Sequence, residues 1–143
     1  MAPVRTRSVG KNGRDDDGEI IYVDVDSIVS IILAKNVARL TRYDNGRRLV
    51  PTNESGILLI TIDHGVVRAL VFSSVAALLK KIERPKQFVM VNRGLAINTH
   101  RVHGESNPGQ KEKIVVMKVG GHLHHLLMSA DGARRLHRTL GHL

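Results

Sequence analysis

The chain has 143 residues, and its 22 Lys and Arg outnumber its 13 Asp and Glu, for a formal net charge of +9. A surplus of this size attracts polyanions, and nucleic acid is the commonest such partner. The absence of cysteine excludes disulfide frameworks, thiolate catalysis and cysteine-ligated zinc.

The first 18 residues are polar, with basic side chains followed by three consecutive aspartates. They carry too little apolar surface to order themselves, so we predict a flexible N-terminal arm, basic then acidic, over residues 1–18. Such an arm can follow a DNA groove, although an idle tail is the simpler interpretation. The folded domain is predicted to span residues 19–143, where no linker divides the chain into two foldable halves.

Two short β-branched segments, residues 20–23 and 28–33, are the first predicted strands of the domain. Residues 35–56, called the basic loop below, are polar and positively charged and contain an Asn45-Gly46 turn signal. We predict a long loop or an irregular hairpin for this segment. Its candidate DNA-binding residues are Arg39, Arg42, Arg47 and Arg48.

A strand, a tight turn and a return strand are predicted over residues 57–72. Ser74 can then cap a helix, because the apolar residues that follow recur at helical spacing. These signals predict a short helix over residues 74–83, and Pro85 is predicted to end it.

The triplet Asn92-Arg93-Gly94 interrupts two apolar segments, residues 88–91 and 95–97, that are predicted to be strands. Since a charge is rarely buried without a partner, we expect the triplet to project from the sheet as a tight loop.

The rest of the chain begins with a polar turn region at residues 103–113. Residues 114–119 and 122–128 are predicted to be two strands joined by a two-residue hairpin. Ser129 is predicted to cap a terminal helix, which carries Arg134 and Arg135.

Seven to ten short strands and two short helices in this order predict a mainly β fold of antiparallel sheets. The apolar residues support this class, because Val, Ile and Leu dominate them and aromatic residues make up only 3% of the chain. The sequence contains neither a secretory signal nor an apolar run long enough to span a bilayer, so we expect a cytoplasmic protein.

The order of the elements resembles the LytTR family, the DNA-binding output domains of bacterial response regulators. In that family a helix leads into a segment of the form Phe-x-x-x-His-Arg-Ser-x-x-Val-Asn, and residues 88–98 here are Phe-Val-Met-Val-Asn-Arg-Gly-Leu-Ala-Ile-Asn. Residues 27–31 resemble the family's early strand, residues 57–72 its first hairpin, and residues 114–140 its last hairpin and final helix. The likeness covers residues 20–140.

The resemblance implies an elongated fold of small antiparallel β-sheets with two short α-helices. It also implies a sequence-specific transcriptional regulator that binds double-stranded DNA through loops placed in successive major grooves. Three segments would reach DNA: the loop between the early strands, the loop that holds Arg93, and the turn into the last helix.

Carried over residue by residue, Arg93 matches the family's arginine, which can bind guanine O6 and N7 or a phosphate. An ordinary solvated arginine is the alternative. Asn92 stands where the family has His and can read adenine through its amide, whereas Gly94 replaces Ser and adds mobility. Asn98 also matches a family residue, and we interpret it as structural because an Asn that ends a strand satisfies local backbone groups.

The third contact segment departs from the family pattern. After the last hairpin the family has Ser-Arg, whereas this chain has Ser129-Ala130-Asp131. We expect Arg134 and Arg135 to replace the missing arginine through phosphate contacts. The basic loop is longer than the family's first contact loop, so it either enlarges the DNA footprint or serves as an oligomer contact.

The expected partner is double-stranded DNA with paired direct-repeat sites, bound by a homodimer. No receiver domain precedes the module in this sequence, so we expect a free-standing domain. Its regulation would then come from abundance, a partner or a ligand.

Two other binding functions stay open at this point. An RNA-binding protein would share the basic charge, but the aromatic residues that stack on bases are scarce. A His-dependent metal-responsive regulator would use His122, His124 and His125 on one predicted strand, where His125 points away from the other two. We expect neither a metal nor another cofactor. The motifs of phosphate-binding, hydrolase and zinc-protease sites are absent, which predicts a binding protein rather than an enzyme.

Overall fold

The computed structural model describes residues 3–9, 15–42, 55–107 and 111–141. Within them lie eleven strands: β1 (Val4–Val9), β2 (Asp15–Val23), β3 (Ile28–Leu33), β4 (Thr41–Arg42), β5 (Ile57–Thr61), β6 (Val66–Ala69), β7 (Phe88–Asn92), β8 (Leu95–Asn98), β9 (Val102–Ser106), β10 (Lys113–Val119) and β11 (His122–Met128). The helices in this part of the chain are α1 (Val37–Leu40), α2 (Val75–Ile82) and α3 (Ala130–Leu140).

The described strands form two sheets whose pairings are all antiparallel. The large sheet has the order β2-β1-β6-β5-β3-β8-β7, and the small sheet has the order β4-β11-β10-β9. This arrangement confirms the predicted mainly β fold of antiparallel sheets with few short helices.

The central strands of the large sheet are buried on both faces, and β5 shows why their sequences are mostly apolar. Leu58 and Ile60 belong to a core cluster that includes residues of the small sheet and of α3. Ile57 and Leu59 belong to a second cluster that includes residues of α2. Because side chains alternate along a strand, a strand that is buried on both faces needs apolar residues at every position.

The structure differs from the flexible arm predicted for residues 1–18. β1 pairs with both β2 and β6, so this part of the chain is built into the large sheet. Thr6 is fully buried, and its Oγ1 donates a hydrogen bond to Ile21 O (2.8 Å). The strand could not be predicted from its own polar residues, because most of the apolar residues that stabilise it lie on neighbouring strands.

Two shorter elements also differ from the predictions. β9 lies in the predicted polar turn region of residues 103–113, and α1 lies in the predicted basic loop. Both are brief and polar or mixed in sequence. Neighbouring elements hold both in place, because β9 is hydrogen-bonded to β10 and α1 packs on β11.

The caps of the two longer helices agree with the predictions. Ser74 Oγ accepts a hydrogen bond from Ala77 N (3.0 Å) at the start of α2. Ser129 Oγ accepts one from Gly132 N (2.9 Å) at the start of α3. None of the helices in the described residues is long and apolar enough to cross a membrane.

Candidate nucleic-acid interface

Arg93 and Gly94 form the two-residue turn between β7 and β8, called the Arg93 turn below. Its main chain is held by a neighbouring segment: Leu33 N donates to Gly94 O (3.0 Å), and Asn36 Nδ2 donates to Arg93 O (3.3 Å). The Arg93 side chain is exposed and has no hydrogen bond or ion pair with any other described residue. A hydrogen-bonded main chain thus carries an exposed guanidinium that has no partner in the part of the chain that the structure describes.

Gly94 is closely packed in this structure, whereas its sequence predicted mobility. It is buried and has a φ of +70°, a left-handed conformation that glycine adopts at little cost. A Cβ at this position would lie 2.7 Å from Asn36 Nδ2 and 2.8 Å from Leu33 Cδ1. Close packing against these two residues, rather than freedom of movement, explains why glycine occupies the position.

Asn92 uses its amide within the protein. Its Nδ2 donates to Leu127 O (3.0 Å) on β11, and its Oδ1 accepts from Arg93 N (2.8 Å). Reading adenine would require both groups, so the structure favours a positioning role for Asn92. The amide ties the Arg93 turn to the small sheet and fixes the first peptide group of the turn.

The described start of the basic loop lies against the Arg93 turn. Asn36, which bonds the turn, ends the 3-10 turn Ala34–Asn36, and α1 follows immediately. Lys35 and Arg39 are exposed, and neither side chain has a partner among the described residues. Two cations without a partner within the described ranges therefore accompany Arg93 on segments that are hydrogen-bonded to one another.

Arg42 has a different environment from the one predicted for it. Its Nη2 lies 2.7 Å from Glu112 Oε1, and its Nη1 donates to the carbonyl oxygens of Arg39 (2.9 Å) and Thr41 (3.0 Å). The hydrogen bonds from Arg42 lower the pKa of Glu112, against a smaller opposing effect of burial. Arg42 therefore joins β4 to the residue that precedes β10, and its guanidinium is not free for DNA. The other two predicted arginines of the loop, Arg47 and Arg48, lie outside the described residues.

The start of α3 packs directly on β7. Ser129 N donates to Val91 O (2.9 Å). Gly132 lies so close to the strand that a Cβ there would come within 1.8 Å of the same oxygen. Only a glycine permits this approach, and the sequence offered no reason for a glycine inside the predicted helix.

The two predicted arginines of α3 have different partners. Arg134 forms an ion pair with Asp131 in the preceding turn of the helix, and both side chains are mostly exposed. Arg135 reaches across to β7, where its Nη1 donates to Met90 O (3.0 Å). Arg135 keeps its remaining N–H donors, so it can hold β7 and still contact an anion.

A basic depression, called the α3 groove below, lies at the C-terminal end of α3. It has a volume of about 550 Å³ and is lined by Lys86, Arg135, Arg138 and Thr139. Lys86 and Arg138 are exposed, and their side chains have no partner among the described residues. Sequence reasoning missed both residues because they lie 52 positions apart and meet only when α3 packs along β7.

Asn98 has the structural role predicted for it. The residue is fully buried, its Nδ2 donates to Ile28 O (2.8 Å), and its Oδ1 accepts from His100 N (3.0 Å). The side chain thus joins the end of β8 to the start of β3.

The histidines of β11 do not form a cluster. His124 is buried, whereas His122 is exposed at the start of the strand. The residues that the structure describes contain no group of three or more His, Asp or Glu side chains that could hold a metal ion.

Comparison with known proteins gives one informative match. No family model matches the chain, and no curated protein matches it. Among solved structures, it is similar to the LytTr DNA-binding domain of a protein from Bacillus cereus described as a methyl-accepting/DNA response regulator. The alignment has a TM-score of 0.60 at 10% sequence identity and covers 99% of this chain and 100% of that one.

The chain has a LytTR-like fold.

In this LytTR-like domain, the three segments implied by the sequence resemblance meet around β7. The early segment reaches the Arg93 turn through Asn36, and the start of α3 reaches Val91 through Ser129. The small sheet reaches Asn92 through Leu127. The described parts of all three segments are therefore joined by hydrogen bonds to β7 and its turn, where the Arg93 side chain is exposed.

Proposed function

We propose that this LytTR-like domain is a sequence-specific regulator of transcription that binds double-stranded DNA. The observation that carries the proposal is the exposed guanidinium of Arg93, unpaired among the described residues, on a main chain held by hydrogen bonds from Leu33 and Asn36. A side chain that reads a base loses less conformational entropy on binding when its backbone is already fixed. The similar LytTr domain from Bacillus cereus, whose name describes it as DNA-binding, supports the same partner.

Arg93 is proposed to read a guanine in the major groove. Its planar guanidinium can donate two hydrogen bonds to O6 and N7, a pairing that the other bases do not offer. Asn92 then acts by setting the turn rather than by touching the base, because both ends of its amide are bonded within the protein.

Phosphate contacts are proposed on both sides of Arg93. On one side lie Lys35 and Arg39, with Arg47 and Arg48 further along the basic loop. On the other side α3 carries Arg134 and Arg135. Arg135 lines the α3 groove with Lys86 and Arg138, whose exposed side chains have no partner among the described residues and are proposed to pair with the DNA backbone. Phosphate contacts supply affinity and orientation, whereas the base contact supplies specificity.

The remaining parts of the proposal concern the oligomeric state, the arrangement of the DNA sites and the cellular location. We place a homodimer on two directly repeated half-sites, in the cytoplasm of a bacterium. DNA that carries one repeat should then bind more weakly than DNA that carries two at native spacing. Equal affinity for both would contradict the dimer.

The decisive experiment selects bound sequences from a random duplex library and then measures affinity for the selected site by fluorescence anisotropy. Arg93→Ala should weaken binding by about 1–3 kcal/mol and relax preference at one base position. Arg93→Lys should restore only part of the loss, since a point charge lacks the two-pronged geometry. Lys118→Ala is the matched control, because it removes one exposed positive charge on β10, outside the three segments.

Three outcomes would contradict the proposal. Random duplexes that bind as tightly as the selected site would remove sequence specificity. Single-stranded RNA that binds better than duplex DNA would move the function to the RNA-binding class. A folded Arg93→Ala variant with unchanged affinity and base preference would remove Arg93 from the interface.

A further inference from the structure

A cavity lies between the start of β1, the segment that follows β6, and α2. It has a volume of about 340 Å³ and is called the α2 cavity below. Its floor consists of core residues that are almost fully buried: Val4, Val25, Leu78 and Ile82. An apolar group in this cavity would therefore extend the hydrophobic core rather than rest on the surface.

The rim of the cavity carries a strained and exposed apolar residue, Val71. Its φ is +79°, a region that β-branched residues avoid, and its side chain is 89% exposed. The backbone beside it is held in place, because Leu70 N donates to Arg5 O (3.1 Å). Strained backbone persists where the surrounding structure enforces it and is concentrated at ligand sites.

Two positive charges stand at the same cavity. Arg5 and Lys81 line it and are exposed, and neither side chain has a partner among the residues that the structure describes. An otherwise apolar wall with two unpaired cations complements a molecule that has an apolar body and one anionic end. A neutral or cationic body of the same size would leave those charges uncompensated.

We propose that the α2 cavity binds a medium-chain carboxylate, with its apolar chain against Val4, Leu78 and Val71 and its carboxylate at Arg5 and Lys81. A water-sized group occupies about 30 Å³, so the cavity has room for a chain of about ten heavy atoms. This site is separate from the DNA interface, because three strands of the large sheet lie between β6 and β7. The proposal does not depend on DNA binding.

Decanoate is the probe, and decanol and decyltrimethylammonium are the neutral and cationic controls of equal chain length. Backbone amide shifts are followed in the full chain, below the micelle concentrations of decanoate and decyltrimethylammonium and below the solubility limit of decanol. Decanoate should shift the amides of residues 70–72 and 81 in a saturable manner. Decanol should bind more weakly, and the cation should not bind.

Charge variants test where the carboxylate lies. Lys81→Gln and Arg5→Gln should each weaken decanoate binding by up to about five-fold, the range of an exposed ion pair. Lys80→Gln is the matched control, because this adjacent residue on α2 lines a different depression, and its affinity for decanoate should equal that of the wild type. All three positions are exposed, so the variants should fold.

The proposal is overturned if decanoate causes no saturable shift at residues 70–72. It is also overturned if decanol binds as tightly as decanoate, since the cations would then contribute nothing. Equal losses in Lys80→Gln and Lys81→Gln would show a general effect of charge rather than a site at the cavity.

Discussion

Replacing Gly132 with alanine should destabilise the domain by about 2 kcal/mol, although alanine is the better helix former. The new Cβ would lie 1.8 Å from Val91 O, whereas real Cβ atoms stay at least 3.0 Å from such neighbours. α3 must therefore move away from β7 by about 1.2 Å at this point, the difference of the two distances. Overpacking of this kind costs about 2 kcal/mol, and a weakened Ser129–Val91 hydrogen bond costs about 1 kcal/mol. The higher helix propensity of alanine offsets about 1 kcal/mol of this loss of stability.

Urea denaturation followed by circular dichroism measures this difference directly. Gly104→Ala is the control, because a Cβ there would meet no atom within 4 Å, and its free energy of unfolding should change little. The sign of the change in the free energy of unfolding of Gly132→Ala decides between overpacking and helix propensity. An alanine variant that is about 1 kcal/mol more stable than the wild type would show that helix propensity dominates and that the close approach of α3 to β7 is wrong.

Three further predictions concern charge and the Arg93 turn. Lys86→Gln and Arg138→Gln should weaken binding to selected and random DNA alike and reduce the slope of log affinity against log salt by about 0.9 each; an unchanged slope in both would remove the α3 groove from the interface. Gly94→Ala should lower stability and DNA affinity together, because the Cβ would press on Asn36 and Leu33; wild-type values in both assays would contradict this. Asp26→Asn should destabilise the domain at neutral pH, because the hydrogen bond from Gln87 and the nearby Arg84 lower the pKa of Asp26 below its ordinary 3.8. A lowered pKa contributes stability that is fully present above the ordinary value and is lost as the pH falls through the lowered one, so the difference from wild type should shrink as the pH falls below 3.8; a difference that stays constant on acidification would contradict the assignment.

The central strands could be predicted because their own residues are apolar enough to indicate burial. β3, β5, β7 and β8 are apolar at nearly every position, and each is buried on both faces. β9 was missed because its own residues are mostly polar, although its partner β10 follows within a few residues. β1 was missed because its stability depends on pairing with β6, which lies far away in the sequence. A local pattern contains no information about a partner strand 60 residues distant.

In the candidate site, too, some residues could be predicted from the local sequence and others could not. Arg93 could be predicted because a charge between two apolar strands must leave the core. The role of Asn92 could not, since it depends on Leu127 O, 35 residues away. The roles of Gly132 and Lys86 could not be predicted either, because both depend on how α3 packs on β7.

The hydrogen bonds that fix the Arg93 turn have a consequence for biosynthesis. Asn92 depends on Leu127, and Val91 accepts a hydrogen bond from Ser129, so residues made early are shaped by residues made about 35 positions later. A nascent chain that has emerged only as far as β8 already contains Leu33 and Asn36, which bond the Arg93 turn, but it lacks Leu127 and Ser129. The ribosome must release the segment through the first turn of α3 before every hydrogen bond that holds β7 and its turn can form. Prematurely terminated translation products that end before β11 therefore carry Arg93 on a turn without its hydrogen bonds to the small sheet and to the start of α3.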